Sequence, residues 1–352
     1  MEEKKKTARE IIEGYDGPPV RIMEVCGTHT HEIFRLGIRK LLPEQVELIS
    51  GPGCPVCVTQ VGFIDEAIYL ALERQVTICT FGDLVRVPGT NMSLAGAREK
   101  GAKIRIVYSP VDAKEYAKEH PKEQVTFLSV GFETTTPSAC LSVKKAREED
   151  LTNYSILTAN KTMPQAYEAL KGSADIFLYP GHVNAITGTK LCEELAKEGV
   201  SGVVAGFTAK ELLTALAVAL ARFQEGRPFF VNCYPRVVTE NGSPQAQKLV
   251  EEMMEPCDSE WRGLGVIKGS GMRLQEEWSA FDARKKYKIP PIQGKANPAC
   301  RCGDVLQGKC KPSDCKVFGK VCTPQHPIGA CMVSGEGACS AYYMYGEAEK
   351  MK

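Results

Sequence analysis

The stretch Gly51-Pro52-Gly53-Cys54-Pro55-Val56-Cys57 holds the only Cys-x-x-Cys of the 352-residue chain. Two thiols at this spacing can share a metal ion, or they can form and break a disulfide. The two glycines and two prolines around them predict a loop. Cys26 is a second candidate. It ends a short apolar run over 20–25 and stands before a predicted helix, where backbone N–H groups and the helix dipole would stabilise a thiolate. His29 follows three positions on, and its imidazole could pair with that thiolate. His31 is placed less well, because residues two apart do not share a helix face.

A third group lies in the tail, where Cys300, Cys302, Cys310, Cys315, Cys322, Cys331 and Cys339 make up seven of the fifteen cysteines. They are more numerous than any four-coordinate site needs. The paired knuckles of a zinc ribbon and the close-set run of bacterial ferredoxins are both absent. An all-thiolate set at wide spacing is compatible with an iron–sulfur cluster. A four-cysteine zinc site is the alternative, and spacing alone leaves open which four would bind. The remaining five, Cys79, Cys140, Cys192, Cys233 and Cys257, sit mostly among apolar neighbours and are assigned to packing.

The elements that must position these residues alternate between strand and helix. Short apolar strands are predicted over 20–25, 46–49, 76–81 and 104–108, with helices over 28–42 and 60–74. The alternation resumes with strands over 125–130, 155–158, 176–179 and 202–205, and a long Ala-Leu helix running to about residue 224. Thr136 is expected to cap a helix with Pro137 in its first turn. Residues 1–16 are expected to form a peripheral helix. Mostly apolar strands of this length fit parallel sheets covered on both faces.

The expected architecture is α/β: two parallel-sheet units facing a cleft, over 17–120 and 121–235, and a small cysteine-rich domain over 236–352. That last stretch has few aliphatic residues, so a covalent or metallic tie is expected to hold it. In open parallel sheets the working crevice lies at the carboxyl ends of the strands. Cys26, His29, Cys54, Cys57, Asp83, Glu133 and His182 all fall there in sequence. Glu133 gains from Gly131, which lets a partner approach closely. Asp83, Glu133 and His182 also have ordinary readings as cap or turn residues.

Composition narrows the function. With 44 basic and 43 acidic residues the net charge is +1, and no basic cluster is interleaved with aromatics, so a nucleic-acid partner is not expected. The charged start has no apolar secretory region. The longest near-apolar run, over 212–221, is about half of what crosses a bilayer. A cytoplasmic protein is expected, with no membrane partner. Its thiols would then serve metal or redox chemistry rather than a static disulfide framework.

Cys26-Gly27-Thr28-His29-Thr30-His31, the Gly51 to Cys57 stretch, Phe81-Gly82-Asp83, Gly131-Phe132-Glu133-Thr134-Thr135 and Pro180-Gly181-His182-Val183 together resemble HypD, the hydrogenase maturation (formation) family. The tail from Cys300-Arg301-Cys302 through Gly329-Ala330-Cys331 to Cys339 is similar to that family as well. The resemblance covers essentially the whole chain. It implies a scaffold on which the Fe(CN)2CO group of [NiFe] hydrogenases is assembled, working as a monomer in transient complexes. The implied partners are a HypC-type chaperone and the cyanide donor HypE, with HypF upstream. Cys26 would hold the iron being assembled, beside the thiol pair Cys54 and Cys57. The family's cluster cysteines are separated by fourteen, six and sixteen residues, a pattern that Cys300, Cys315, Cys322 and Cys339 satisfy. This implies a [4Fe–4S] cluster. Cys302 and Cys331 are left over as a redox pair relaying electrons toward Cys54 and Cys57, while Glu133, His29 and Asp83 would handle protons or orient an incoming carrier. The rival classes are a free-standing iron–sulfur-dependent thiol–disulfide oxidoreductase and a structural zinc scaffold.

Overall fold

A computed structural model describes residues 6–346. Of the helix expected over 1–16, the first five residues lie outside the described residues, and the helix observed is Ala8–Glu13. The strands are β1 (Val20–Glu24), β2 (Val46–Ser50), β3 (Thr77–Thr80), β4 (Ile104–Ile106), β5 (Val125–Gly131), β6 (Tyr154–Asn160), β7 (Ile176–Pro180), β8 (Ser201–Ala205), β9 (Phe230–Asn232), β10 (Met254–Trp261) and β11 (Gly265–Leu274). They build two parallel sheets, ordered β2-β1-β7-β8-β9 and β4-β3-β5-β6, and one antiparallel pair, β10-β11. Strands β5 to β8 are buried along their whole length. Burial on both faces is what a helix-covered parallel sheet imposes, and it explains why these strands carry no charge.

The division of the chain between the sheets differs from the expected 17–120 and 121–235. The first sheet takes β1 and β2 from the chain's start and β7 to β9 from its middle, while β3 to β6 form the second. A strand buried on both faces carries no alternation that would identify its neighbour. The chain therefore passes from one sheet to the other between β2 and β3, and the Cys54 to Cys57 stretch lies on that crossing.

Local departures have local causes. The helix expected over 28–42 is Gly27–Arg35, followed by a 3-10 turn, Ile38–Leu41, after Gly37 at φ 64°. Thr136 is the first helical residue rather than the cap, and its hydroxyl donates to the Phe132 carbonyl at 2.8 Å. The β10-β11 hairpin covers what reads in sequence as a glycine-rich stretch. Its alternating burial comes from one face packing on the second sheet, with an added bridge between Lys161 and Gly271. Beyond it the tail has only short helices, Cys302–Leu306 and Ala338–Tyr345 among them. Among the described residues, no helix is long and apolar enough to cross a membrane.

One hydrophobic cluster positions the site. It joins Val25, Cys54, Cys57 and Val58 with Phe132 from the end of β5, Trp261 from the hairpin, and Cys302 and Cys331 from the tail. The carboxyl ends of both sheets, the hairpin and the tail thus meet in one place.

Candidate functional site

The Cys-x-x-Cys is a helical turn rather than the expected loop. Pro55 opens the helix Pro55–Val58, Cys54 is its N-cap, and the Cys57 N–H points at the Cys54 sulfur at 3.4 Å. Proline suits the first helical position because its φ is preset and its missing N–H is not needed there. The turn is clamped from the hairpin side, where the Arg262 guanidinium donates to the Thr59 carbonyl at 2.8 Å and its backbone N–H donates to Val58.

Cys26 caps the helix Gly27–Arg35 and is buried. Gly53 lies directly against it: a β-carbon there would stand 2.2 Å from the Cys26 nitrogen. Glycine at 53 is what lets the two cysteine motifs touch, and the Gly27 N–H bonds the Gly53 carbonyl at 2.9 Å. The expected thiolate is overturned. Burial pushes the Cys26 thiol up to about 12, outweighing the N–H groups of His29 and Thr28 that favour the anion, and the nearby Glu336 carboxylate adds to the rise. Cys26 is a neutral thiol that must lose its proton to bind a metal.

The His29 imidazole also departs from expectation. Its Nε2 lies 3.0 Å from the Gly206 carbonyl, and the ring stacks on Phe207 at 4.8 Å. His29 serves Cys26 through its backbone N–H, not its ring. Burial holds the imidazole down to about 4, so it is neutral. His182 stacks on the same Phe207 at 3.8 Å. Asp83 stands exposed on the 3-10 turn Gly82–Arg86 at the end of β3.

Glu133 follows β5. Its Oε1 accepts the Met163 N–H at 2.8 Å, while Oε2 is buried without a partner. Burial raises its carboxyl from the ordinary 4.5 to about 7. The folded state therefore keeps the proton more firmly than the unfolded chain does. The associated stability is fully present below about pH 4.5 and is lost as pH rises through about 7. Glu133→Gln should remove that loss. Unfolding free energies from urea denaturation at the two ends of this range should converge in the variant and differ by up to about 3 kcal/mol in the parent.

The tail thiols run up to the same place. Cys57 lies beside Cys54 and Cys331, Cys331 beside Cys302, and Cys302 beside Cys300, each close enough to shift its neighbour's protonation. The result is an unbroken line of five thiols from the Cys-x-x-Cys turn into the tail. Burial pushes the Cys57 thiol well above its ordinary range, with the neighbouring Cys54 adding to the rise. At the outer end, Cys300, Cys315, Cys322 and Cys339 line a common cavity, together with Cys302 and Cys331. Burial, and then the crowding of Cys302, Cys300, Cys322 and Cys315, drives the Cys339 thiol well up. Four thiols packed this way cannot all ionise without a cationic partner.

Three residues escaped the sequence reading. Glu336 accepts a hydrogen bond from Thr28 at 2.7 Å and lies beside Cys26, with only its flanking glycines as a signal. The Arg262 guanidinium faces Cys300 and Cys302, and its NH2 is buried without a partner. Glu24 is fully buried at the end of β1 and binds Thr30, Ser50 and Arg39.

Thiols gathered where the two sheets, the hairpin and the tail meet define an α/β protein with a cysteine-rich tail. The comparisons specify it further. The HypD family model, described as "Hydrogenase formation hypA family", matches residues 2–346. The chain is 42% identical over 347 residues to the hydrogenase maturation factor HypD of Cupriavidus necator, covering 95% of this chain and 92% of that one. It is 43% identical to the factor of the same name from Escherichia coli (94% and 90% covered) and 44% identical to that from Rhodobacter capsulatus (94% and 90% covered). The chain belongs to the HypD family.

Proposed function

We propose that this chain is a hydrogenase maturation factor, a scaffold on which the Fe(CN)2CO group is assembled. It would work with a HypC-type chaperone and take cyanide from a HypE-type donor that a HypF-type protein charges. The observation that carries the reading is the unbroken contact line Cys54–Cys57–Cys331–Cys302–Cys300, which begins where Gly53 touches Cys26.

The tail suits a [4Fe–4S] cluster held by Cys300, Cys315, Cys322 and Cys339. The donor set is all thiol, the four line one cavity, and the Ile328 N–H points at the Cys322 sulfur at 3.4 Å, as cluster sulfurs require. The unpartnered Arg262 NH2 would gain an anionic neighbour from such a group. When bound, the cluster would supply single electrons to the adjoining thiols.

The iron being assembled is the substrate. A soft thiolate suits low-spin Fe(II) bearing cyanide and carbonyl, and Cys26 is the thiol placed to hold it. Moving a cyano group from a carrier thiocyanate breaks the carrier's S–C bond. Cyanide goes to iron, the carrier sulfur leaves as thiolate, and two electrons are consumed. The Cys302/Cys331 dithiol can give both, closing to a disulfide and releasing two protons. Glu133, half-titrated near neutrality, would be a group to exchange protons with the incoming carrier.

The test is an infrared spectrum of the chain isolated with its HypC-type partner. Bands in the cyanide and carbonyl stretching region are expected in the parent and should vanish in Cys26→Ala. Bands that persist in the variant would remove Cys26 as the iron ligand. A bandless parent would favour a thiol–disulfide oxidoreductase. Zinc in place of iron and acid-labile sulfide would mean a structural scaffold.

A further inference from the structure

The tail also carries a charge pattern that the thiol chemistry does not use. Residues 309–322 contain four lysines, Lys309, Lys311, Lys316 and Lys320, against a single acid, Asp314, in a chain whose net charge is only +1. That acid is engaged, since its carboxylate accepts the Lys311 N–H at 2.8 Å. The next acid in sequence, Asp304, pairs with Arg301 at 2.9 Å; Glu44 and Glu47 line the groove beside Lys309 and Lys311, and Glu47 is paired with Arg21. All four lysines are exposed, and Lys309, Lys316 and Lys320 enter none of the described ion pairs. The excess positive charge is therefore presented to solvent.

The surface that carries this charge is ordered. Gly319 N–H bonds the Cys322 carbonyl at 3.0 Å, Cys322 N–H bonds Val317 at 2.9 Å, and the Phe318 ring packs edge-on against Tyr342 and Tyr343. Val321 is 59% exposed and Tyr343 38% exposed, so the basic segment and the helix packed against it also present apolar side chains. Cys315 and Cys322 belong to the same turn and open inward on the cavity shared with Cys300 and Cys339. Further in, Cys57 and Cys331 are wholly buried.

This layout creates a supply problem on the reading proposed above, on which the inference rests. Each cyano transfer leaves a Cys302–Cys331 disulfide, and both sulfurs are out of reach of a soluble thiol. Reduction would enter at the outer cysteine pocket, where a cluster, when bound, would take single electrons and pass them inward to the disulfide. We propose that the exposed segment 309–322, with Lys309, Lys311, Lys316, Lys320 and Val321, docks a small acidic one-electron carrier protein bearing a flavin. Two reduced carriers each give one electron. The Cys302–Cys331 S–S bond breaks, and its two sulfurs take up two protons to regenerate the dithiol. Opposite charge steers such a carrier to the segment, and the exposed apolar side chains give contact once it has arrived.

The experiment uses the full chain and a bacterial flavodoxin as the probe. Binding is followed by calorimetry at low and high salt, and reduction of the chain by flavodoxin hydroquinone is followed by anaerobic stopped flow. Lys309→Glu/Lys316→Glu/Lys320→Glu changes only exposed residues. It should weaken binding by at least about tenfold and remove most of its salt dependence. Flavodoxin-driven reduction should slow in parallel, while dithionite should reduce parent and variant alike. Flavodoxin binding and reducing the variant as well as the parent would overturn the proposal. So would polyglutamate binding the parent as tightly as flavodoxin does, since the face would then be a general polyanion patch. Calorimetric binding does not depend on hydrogenase chemistry. Missing cyanide and carbonyl bands alongside charge-dependent flavodoxin binding would therefore sink the assembly reading and leave the docking face standing.

Discussion

Replacing Cys302 and Cys331 together with serine should leave iron and sulfide content unchanged and stop cyanide transfer. Neither residue is among the four tail cysteines assigned to the cluster, so its ligands survive. Serine keeps a small polar group in place of each thiol, Cys302 beside Cys300 and Cys331 beside Cys57, so the packing of this buried pair should hold. What serine cannot do is form a disulfide, and the line from the tail to Cys57 is cut at its centre. The expected loss in transfer is about a thousandfold or more, the scale on which removing an essential covalent group acts. Either single substitution should cost nearly as much, because a dithiol with one sulfur gives no two-electron couple. Cys310→Ser is the control: Cys310 lies outside the contact line and should be dispensable. Unimpaired transfer by the double variant would sink the relay.

The pattern of what could be read in the chain follows from where each kind of information resides. Strand existence was legible because β5 to β8 are uncharged and largely apolar, as strands buried on both faces are. Sheet membership was not, since Val20–Glu24 pairs with Ile176–Pro180 across more than a hundred residues with nothing in either segment to name the other. Cys26, Cys54 and Cys57 were legible as chemistry because glycine and proline mark them. Their meeting depends on Gly53 and Cys26 sharing a contact that no spacing encodes. The protonation of Cys26 was misjudged for a related reason. Its position at a helix start is local, but its burial is a property of the whole assembly, and burial is the larger effect. Likewise His29 looked like a partner at i+3, yet its ring turns to Gly206 and Phe207, which lie far along the chain. Glu336 and Arg262 carried no motif at all, and only folding brings them to the thiols.

Glu24→Ala should destabilise the chain by about 3–5 kcal/mol, the range for breaking a buried ion pair on one side. The carboxylate is wholly buried at the end of β1. It accepts from Thr30 Oγ1 at 2.8 Å, from Ser50 Oγ at 3.1 Å and from the Arg39 guanidinium at 2.5 Å. Arg39 also donates to the Leu48 carbonyl at 2.6 Å, so removing Glu24 strands a guanidinium already engaged with β2. The three partners belong to the helix after Cys26, the strand before the Cys54 turn, and the 3-10 turn between them. One side chain therefore fixes the angle at which the two cysteine motifs approach each other. Glu24→Gln separates charge from position. It keeps an acceptor for Thr30 and Ser50 but leaves Arg39 without its counter-ion, so its loss should be roughly half that of alanine on the scale of single charge-assisted bonds. Urea denaturation with an unchanged m-value measures both. A midpoint shift in Glu24→Ala equivalent to less than about 0.5 kcal/mol, the size of an ordinary surface substitution, would show that the carboxylate holds nothing together. If the larger loss is found, the glutamine variant should also weaken the Cys26-dependent infrared bands while sparing the tail cysteines. The geometry Glu24 sets lies between Cys26 and Cys54, at the opposite end of the thiol line from Cys300.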